Sequence, residues 1–519
     1  MSTNLAAERW WQRSVVYQVY ARSFQDSNGD GVGDLRGIRQ RLDHLEWLDI
    51  DAVWLSPIYP SPMADFSYDV ADYTDVDPLF GTLEDLDGLI EDLHRRGMRL
   101  LLDFVPNHTS SLHPWFVDAL TSRAAEHRNW YIWRDAAPDG GPPNDWASAF
   151  GGSAWEWHEV TGQFYFHSFL REQPDLDWTN PQVRVQMTDA LRFWLRRGVD
   201  GFRIDVVNLL AKGRELQPTG GVLGPDGPWG DQHAIHPIMR DLRAVADEFD
   251  DRVLIGEIWL PLEQLVTFYG AELEELHLPF NFRLLDVPWE ADRVHEAIRT
   301  YEGALPRGAW PNWVLGNHDR PRIVTRVGAA QARVAQMLLI TLRGTPTLYY
   351  GDEIGMTEVE LPRSAWRDPQ GLRGGPTRDG CRTPMRWDAT ARASFTTGEP
   401  WLPLGQPAGV DVASQRDDPD SMLSLCRSLL RLRRAERALS IGEWHDLGHA
   451  DTSLAYLRGH GARRFLVCLN LAGVPSALPA QAHRLPGRVV ASTLGSGGQG
   501  DFHPGRGLAG DEGLVILLD

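Results

Sequence analysis

Four carboxylic acids each end a short apolar run. Asp103 closes "RLLLD", Asp205 closes "GFRID", Glu257 closes "VLIGE", and Asp319 follows "WVLGNH". Arg203 stands two residues before Asp205, and His318 stands beside Asp319. In an extended strand, residues i and i+2 share a face, so Arg203 and Asp205 would project together. A guanidinium at that range favours the ionised acid and lowers its pKa, which suits a nucleophile. Another carboxyl in a less compensated setting would stay protonated and serve as an acid. Two carboxyls with separated pKa values are the working pair of glycoside hydrolysis. One such acid alone could be a helix N-cap. Four, each after an apolar run, make independent capping a poor explanation. No GxSxG, HExxH, phosphate loop or CxxC signals a competing chemistry.

These acids need elements that bring them to one place. Strand-like runs occupy 15–20, 52–57, 98–105, 199–207, 252–259, 276–282, 312–317 and 345–353. Helical patterns lie between them. Apolar residues recur at 35, 38, 42, 45 and 48. Residues 83–97 read as a helix closed by a glycine, and 183–198 as another helix. Alternation of this kind implies βαβ units and a parallel sheet. Eight strands are the count for a closed (β/α)8 TIM barrel, whose chemistry lies at the C-terminal strand ends. Residues 106–179 break the pattern. They are rich in Trp, Pro, Gly and His with no clear helical period, and plain loop of that length is unusual. The expected organisation is a barrel over 1–105 and 180–440, an inserted subdomain over 106–179, and a small antiparallel β-domain over 441–519. The last rests on alternation around a Gly-containing turn within 453–473.

Bulk composition narrows the partners. The 519 residues are 42% hydrophobic and 24% charged, ordinary for a soluble globular chain. Lys+Arg is 51 against 71 Asp+Glu, for a net charge of −20. With no basic block, that balance argues against nucleic acid and anionic membrane surfaces, and fits a neutral or cationic substrate. Lys212 is the only lysine. Cys381, Cys426 and Cys468 have no metal or redox spacing and suggest a reducing compartment. "MSTNLAAERWWQRS" has no apolar run and does not read as a signal peptide. The longest apolar stretches, such as 334–342, are too short to cross a bilayer. A cytoplasmic monomer or homodimer is expected.

"DSNGDGVGD" (26–34) has the spacing of a calcium loop. Asp26, Asn28 and Asp30 fill positions 1, 3 and 5 of the EF-hand template. Gly31 fills 6, Val32 could lend a carbonyl at 7, and Asp34 fills 9. Position 12 is Gly37, so the bidentate acid is missing, and "SVVYQVYARSF" before the loop reads as a strand where an EF-hand needs a helix. A hard-cation site other than an EF-hand is expected. The plain alternative is a solvated Asp/Gly turn.

Taken together, "DFVPNH" (103–108), "GFRIDVVN" (201–208), "GEIW" (256–259) and "GNHD" (316–319) resemble the four signature segments of the α-amylase superfamily, in order. "QPDLDW" (173–178), the opening "DSNGDGVGDL" and "CRTPMRWD" (381–388) resemble its oligo-1,6-glucosidase and α-glucosidase branch. The resemblance covers nearly the whole chain. It implies a catalytic barrel, a domain inserted after the third strand and a C-terminal β-sandwich. It also implies a retaining, exo-acting α-glucosidase acting on short α-glucosides linked α-1,4 or α-1,6, or on sucrose. Asp205 would be the nucleophile, Glu257 the general acid/base, and Asp319 the stabiliser of the oxocarbenium-like transition state. Arg203 would orient Asp205, and His108 and His318 would bind sugar hydroxyls. Tyr68 and Asp69 would hold the terminal glucose, with Arg382 paired to Asp69. Phe150 and Phe169 would form aromatic walls, or else plain subdomain core. A structural Ca²⁺ or Mg²⁺ would sit on Asp26, Asn28, Asp30, Asp34 and the Val32 carbonyl. Two positions depart from the branch pattern: Asp177 stands for a common Asn, and Ser67 for a common Gly. Val206 resembles the α-1,6-preferring members. The alternatives are a transglucosidase or sucrose isomerase with the same residues, or a non-catalytic binding relative, which would have lost acids that are all present here.

Overall fold

The computed structural model describes residues 8–212, 232–495 and 500–519; residues 1–7, the first part of the stretch weighed as a signal peptide, lie outside them. Eight strands build the central sheet: β1 (Val16–Val19), β2 (Ala52–Leu55), β3 (Arg99–Phe104), β4 (Gly201–Ile204), β5 (Val253–Gly256), β6 (Leu278–Pro279), β7 (Asn312–Val314) and β8 (Thr345–Tyr349). Each falls inside a run expected from the sequence. The sheet order is β7-β8-β1-β2-β3-β4-β5-β6, with every pairing parallel. The last strand returns to the first, so the sheet curls into a near-closed barrel. Among the described residues, no ladder joins β6 to β7.

The pleat explains both the apolar runs and the position of the chemistry. Val53, Leu55, Leu100 and Leu102 pack outward in the large core shared with the helices, while Ala52, Trp54 and Leu101 pack in a separate inner cluster. Both faces are therefore buried, as in parallel sheets generally. Counting by twos along the inner parity leads from Leu101 to Asp103 and from Gly201 to Arg203 and Asp205. The inner face ends in charge at the C-terminal rim.

The connecting helices start and stop where local chemistry dictates. Leu83–Arg95 begins at a Thr82/Asp85 capping box, and the chain leaves it at Gly97 with φ 75°. Pro181–Arg197 is capped by Asn180 and ends on left-handed Gly198. The helix expected from Leu35 is divided into Leu35–Gln40 and Leu42–Trp47. The segment after β3 carries an antiparallel sheet of its own (Trp133–Arg134, Gln163–Phe166 and Trp155–His158) over a cluster containing Trp146, Trp155 and Phe166. It also holds a helix, Pro114–Thr121, too short to show a period in sequence.

Residues 443–518 form a six-stranded antiparallel sheet. Ser453–His460 and Arg463–Asn470 are its central hairpin. Phe465, Val467 and Leu469 belong to the core shared with the barrel helices, and Leu466 and Cys468 to the sheet's own cluster. Two buried arginines serve this seam through carbonyls: Arg458 crosses it, and Arg433 ties together the chain on its barrel side. Arg433 donates to the carbonyls of Ile340 (2.9 Å), Leu342 (3.2 Å), Gly344 and Leu439 (2.8 Å). Arg458 donates to those of Thr341 and Gly442 (3.0 Å). They thus satisfy the carbonyls that end the helix Ala329–Thr341. Among the described residues, no helix is long and apolar enough to cross a membrane.

Replacing Arg433 by Met should strand several buried carbonyls, at about 1–3 kcal/mol for each left unsatisfied. A thermal-unfolding midpoint several degrees lower is expected; an unchanged midpoint would contradict the role given to this side chain.

Candidate active site

Asp103, Arg203, Asp205 and Glu257 meet at the C-terminal ends of β3, β4 and β5. Asp103 and Arg203 are direct partners in the ladder, so their side chains stand side by side. Arg203 Nη1 donates to Asp103 Oδ1 (2.8 Å) and Asp205 Oδ1 (2.6 Å), and Nη2 donates to Glu257 Oε2. The Asp205 and Glu257 backbones are themselves fixed, because Asp205 N donates to Phe104 O (2.8 Å) and Glu257 N to Ile204 O (2.9 Å). Between them Val206 adopts a left-handed φ of 37°. That is strained for a β-branched residue, and such strain gathers at functional sites. It aims the Val206 amide at Glu257 Oε2 (3.2 Å). The second oxygen, Oε1, accepts from the Trp259 indole (2.6 Å).

The charge balance differs from the sequence expectation. Arg203 was expected to hold Asp205 below the usual carboxylate range. Burial instead pushes Asp205 well above it; Arg203 opposes this, while Glu257 and Asp103 push the same way. One guanidinium shared with two other acids does not offset the desolvation of Asp205. Burial likewise raises Asp103, to about 6, against the pull of Arg203.

Asp319 is the reverse case. Burial works to raise its pKa, but His318, Arg378, Arg382 and Arg203 hold it far below the usual range. Burial itself drives His318 down to about 3, so the imidazole is neutral at pH 7. The arginines are then the effective cations there: Arg378 Nη1 (3.0 Å) and Arg382 Nη2 (2.8 Å) both donate to Asp319 Oδ1.

The expected Asp69–Arg382 pair is not formed. Asp69 is fully buried, and its carboxylate accepts from Ser61 Oγ, Ala64 N and Asp65 N, which brace the loop. Arg382 also donates to the His318 carbonyl (2.7 Å). The pair that faces the cleft is Asp65–Arg378, at 2.8 Å. Arg378 is further held by Asp368 (2.7 Å). Asp65 and Asp69 are both acids in "ADFSYD", and Arg378 and Arg382 flank the turn Asp379–Arg382. Only their hydrogen-bond partners distinguish them, and sequence does not give those.

The other expected residues line the same cleft, a cavity of about 660 Å³, within the range of small-molecule sites. The Tyr68 hydroxyl donates to Asp103 Oδ2 (3.0 Å) and lies 2.8 Å from His318 Nε2, with the two rings stacked. His108 Nε2 sits 2.9 Å from the Tyr68 carbonyl and 3.0 Å from Gln173 Nε2. Phe150 and Phe169 meet edge-to-face at 5.5 Å, and Arg378 lies over the Phe150 ring. Both rings are cleft wall. Asp177 lies outside the cleft, bonded to Thr179. Ser67 takes the left-handed φ of 78° for which a glycine would be better suited.

In the 26–34 loop, Asp26 accepts from the amides of Asn28, Gly29 and Gly31 and from Thr396 Oγ1. Asn28 Oδ1 accepts from Asp30 N, and Asp30 Oδ1 from Val32 N. Asp34 caps Leu35–Gln40 through Gly37 N and accepts from Ser27. Among the described residues, no three His, Cys, Asp or Glu side chains gather as a metal cage. The donors are all hard oxygens suited to Ca²⁺ or Mg²⁺, and Asp26, Asp30 and Asp34 form no ion pair with a basic side chain among those residues. The loop fits such a cation in chemistry, while its carboxylates are turned to backbone amides.

Residues 18–442 match the α-amylase catalytic domain. The chain is 41% identical over 495 residues to a probable alpha-glucosidase of Rhizobium meliloti (strain 1021), covering 89% of each. It is 36% identical over 511 residues to the oligo-1,6-glucosidase of Heyndrickxia coagulans, covering 89% of this chain and 92% of that one. Among solved structures, the alpha-glucosyl transfer enzyme XgtA superposes with a TM-score of 0.89 at 37% identity, over 99% of this chain and 100% of its own. A TIM barrel with four acids at its rim, matched over this length, places the chain in the α-amylase family of glycoside hydrolases.

Proposed function

We propose that the chain is a retaining, exo-acting α-glucosidase that releases glucose from the non-reducing end of short α-glucosides. The observation that carries this reading is the Arg203 bridge: two carboxyls, Asp205 and Glu257, bonded to the two terminal nitrogens of one guanidinium. Two carboxyls that share one guanidinium lie near each other, which supports the about 5–5.5 Å spacing of a retaining pair over the wider spacing that admits the water of an inverting pair.

Asp205 attacks the anomeric carbon as Glu257 protonates the glycosidic oxygen, so that the C–O bond breaks and a glucosyl ester forms. Glu257, now ionised, takes a proton from water, and the hydroxide displaces Asp205 with net retention. Ionised Asp319 faces the positive charge that develops on the ring. The Asp65–Arg378 pair at the inner wall, beside Tyr68, closes the pocket behind one terminal glucose and supports exo action. His108 and His318 line the same pocket, where the resemblance has them bind sugar hydroxyls. The likeness to a glucosyl transfer enzyme favours transglucosylation as the second reading, with a sugar hydroxyl in place of water. The unpaired, buried Cys381, Cys426 and Cys468 support a reducing, cytoplasmic setting. A cation on the 26–34 loop would brace the entry to the first barrel helix and take no part in the chemistry.

Asp205→Asn should abolish hydrolysis of an aryl α-glucoside with the fold intact; near-normal turnover would remove Asp205 from its role. On maltose, isomaltose and sucrose, glucose release is expected; isomerised or elongated sugars as main products would favour the second reading. Chelation should lower the thermal midpoint, with Ca²⁺ restoring it, and leave the initial rate nearly unchanged. Immediate, complete loss of turnover with the fold unaltered would contradict a structural cation.

A further inference from the structure

Glu257 has a neighbour that its assigned role does not explain. The Trp259 indole Nε1 donates to Glu257 Oε1 at 2.6 Å, while Oε2 is held by Arg203 and the Val206 amide. Both oxygens of the carboxyl are thus held, each by its own donors. The indole is itself locked. Phe282 stacks on it at 4.3 Å with 17° between planes, and the Arg320 guanidinium lies 4.5 Å from its centre. Two groups that close cannot share a face, so the ring is sandwiched. Its backbone amide donates to Asn208 Oδ1 (3.2 Å). A neutral donor on a clamped ring is an aiming device: it costs no reorganisation and tolerates little rotation of its partner. Trp259 also lines the cleft beside Glu257 and Arg320.

We propose that Trp259 is a positioning residue for the acid/base: its indole N–H sets the plane of the Glu257 carboxyl so that its proton meets the glycosidic oxygen. The sandwiched ring forms the wall on which the departing sugar rests. This rests on Glu257 being the acid.

A phenylalanine at 259 keeps a ring between Phe282 and Arg320 and removes only the donor. The kcat/KM value reports the first chemical step, and that step needs the acid when the leaving group is a sugar but hardly at all when it is fluoride. Trp259→Phe is expected to lose about tenfold in kcat/KM on maltose or isomaltose, the upper end of what one neutral hydrogen bond contributes, and less than threefold on α-glucosyl fluoride. Equal losses on both, or no loss, would overturn the proposal, since a merely structural defect does not discriminate between leaving groups. Benzothienylalanine at 259, which has the indole's shape without its N–H, should reproduce the split if the phenylalanine variant is poorly folded. Glu257→Gln separates the two claims. A large leaving-group split in that variant without one in Trp259→Phe overturns the positioning role alone. No split in Glu257→Gln overturns the acid assignment, and the positioning role with it.

Discussion

One guanidinium serves three carboxyls in a mouth that water hardly reaches. Arg203 is 1% exposed and lies over the Trp54 ring, with Asp103, Asp205 and Glu257 all bonded to its terminal nitrogens. Buried carboxylates left unpaired are among the costliest groups a fold can hold. The barrel register meets that cost: Asp103 and Arg203 are ladder partners on β3 and β4, and Arg203 stands opposite Ile255 on β5, two residues before Glu257. The register that packs the inner face is the register that pairs the charges.

The site is asymmetric in proton occupancy. The Arg203 set has more acid than cation, and burial pushes Asp205 well above the usual carboxylate range and Asp103 to about 6. Asp319 is bonded to two arginines, which help hold its carboxyl far below the usual range. An acid that can give up a proton and a carboxylate that stays ionised are the two requirements of a reaction through a cationic ring. Arg378 extends the second half outward, joining Asp319, Asp65 and Asp368, which are distant in the chain. The pocket's closed end therefore depends on a single side chain.

Much of this was legible in the sequence for a physical reason. Parallel strands buried on both faces read as apolar runs, and an acid ending such a run stands out, so the eight strands and the four acids could be located. The parts that were not legible depend on partner choice. Asp65 and Asp69 are the same residue type four positions apart; one meets Arg378 in the cleft and the other is consumed by local amides. The sign of the Asp205 shift was missed because a pairwise count of Arg203 with Asp205 ignores the two acids that compete for the same guanidinium. Trp259 could be quoted within "GEIW", but its N–H acquires meaning only from the rotation fixed by Phe282 and Arg320. Pro114–Thr121 was missed because two turns are too few to show a period, although the His113–Pro114 start is a helix-initiating pair.

The close Asp205–Glu257 pairing across Arg203 is tested most directly by the anomer first released. Proton NMR, recorded within the first turnovers and before mutarotation, should show α-glucose from an α-glucoside. β-Glucose as the first product would mean inversion, and would contradict a pair held that closely by one guanidinium.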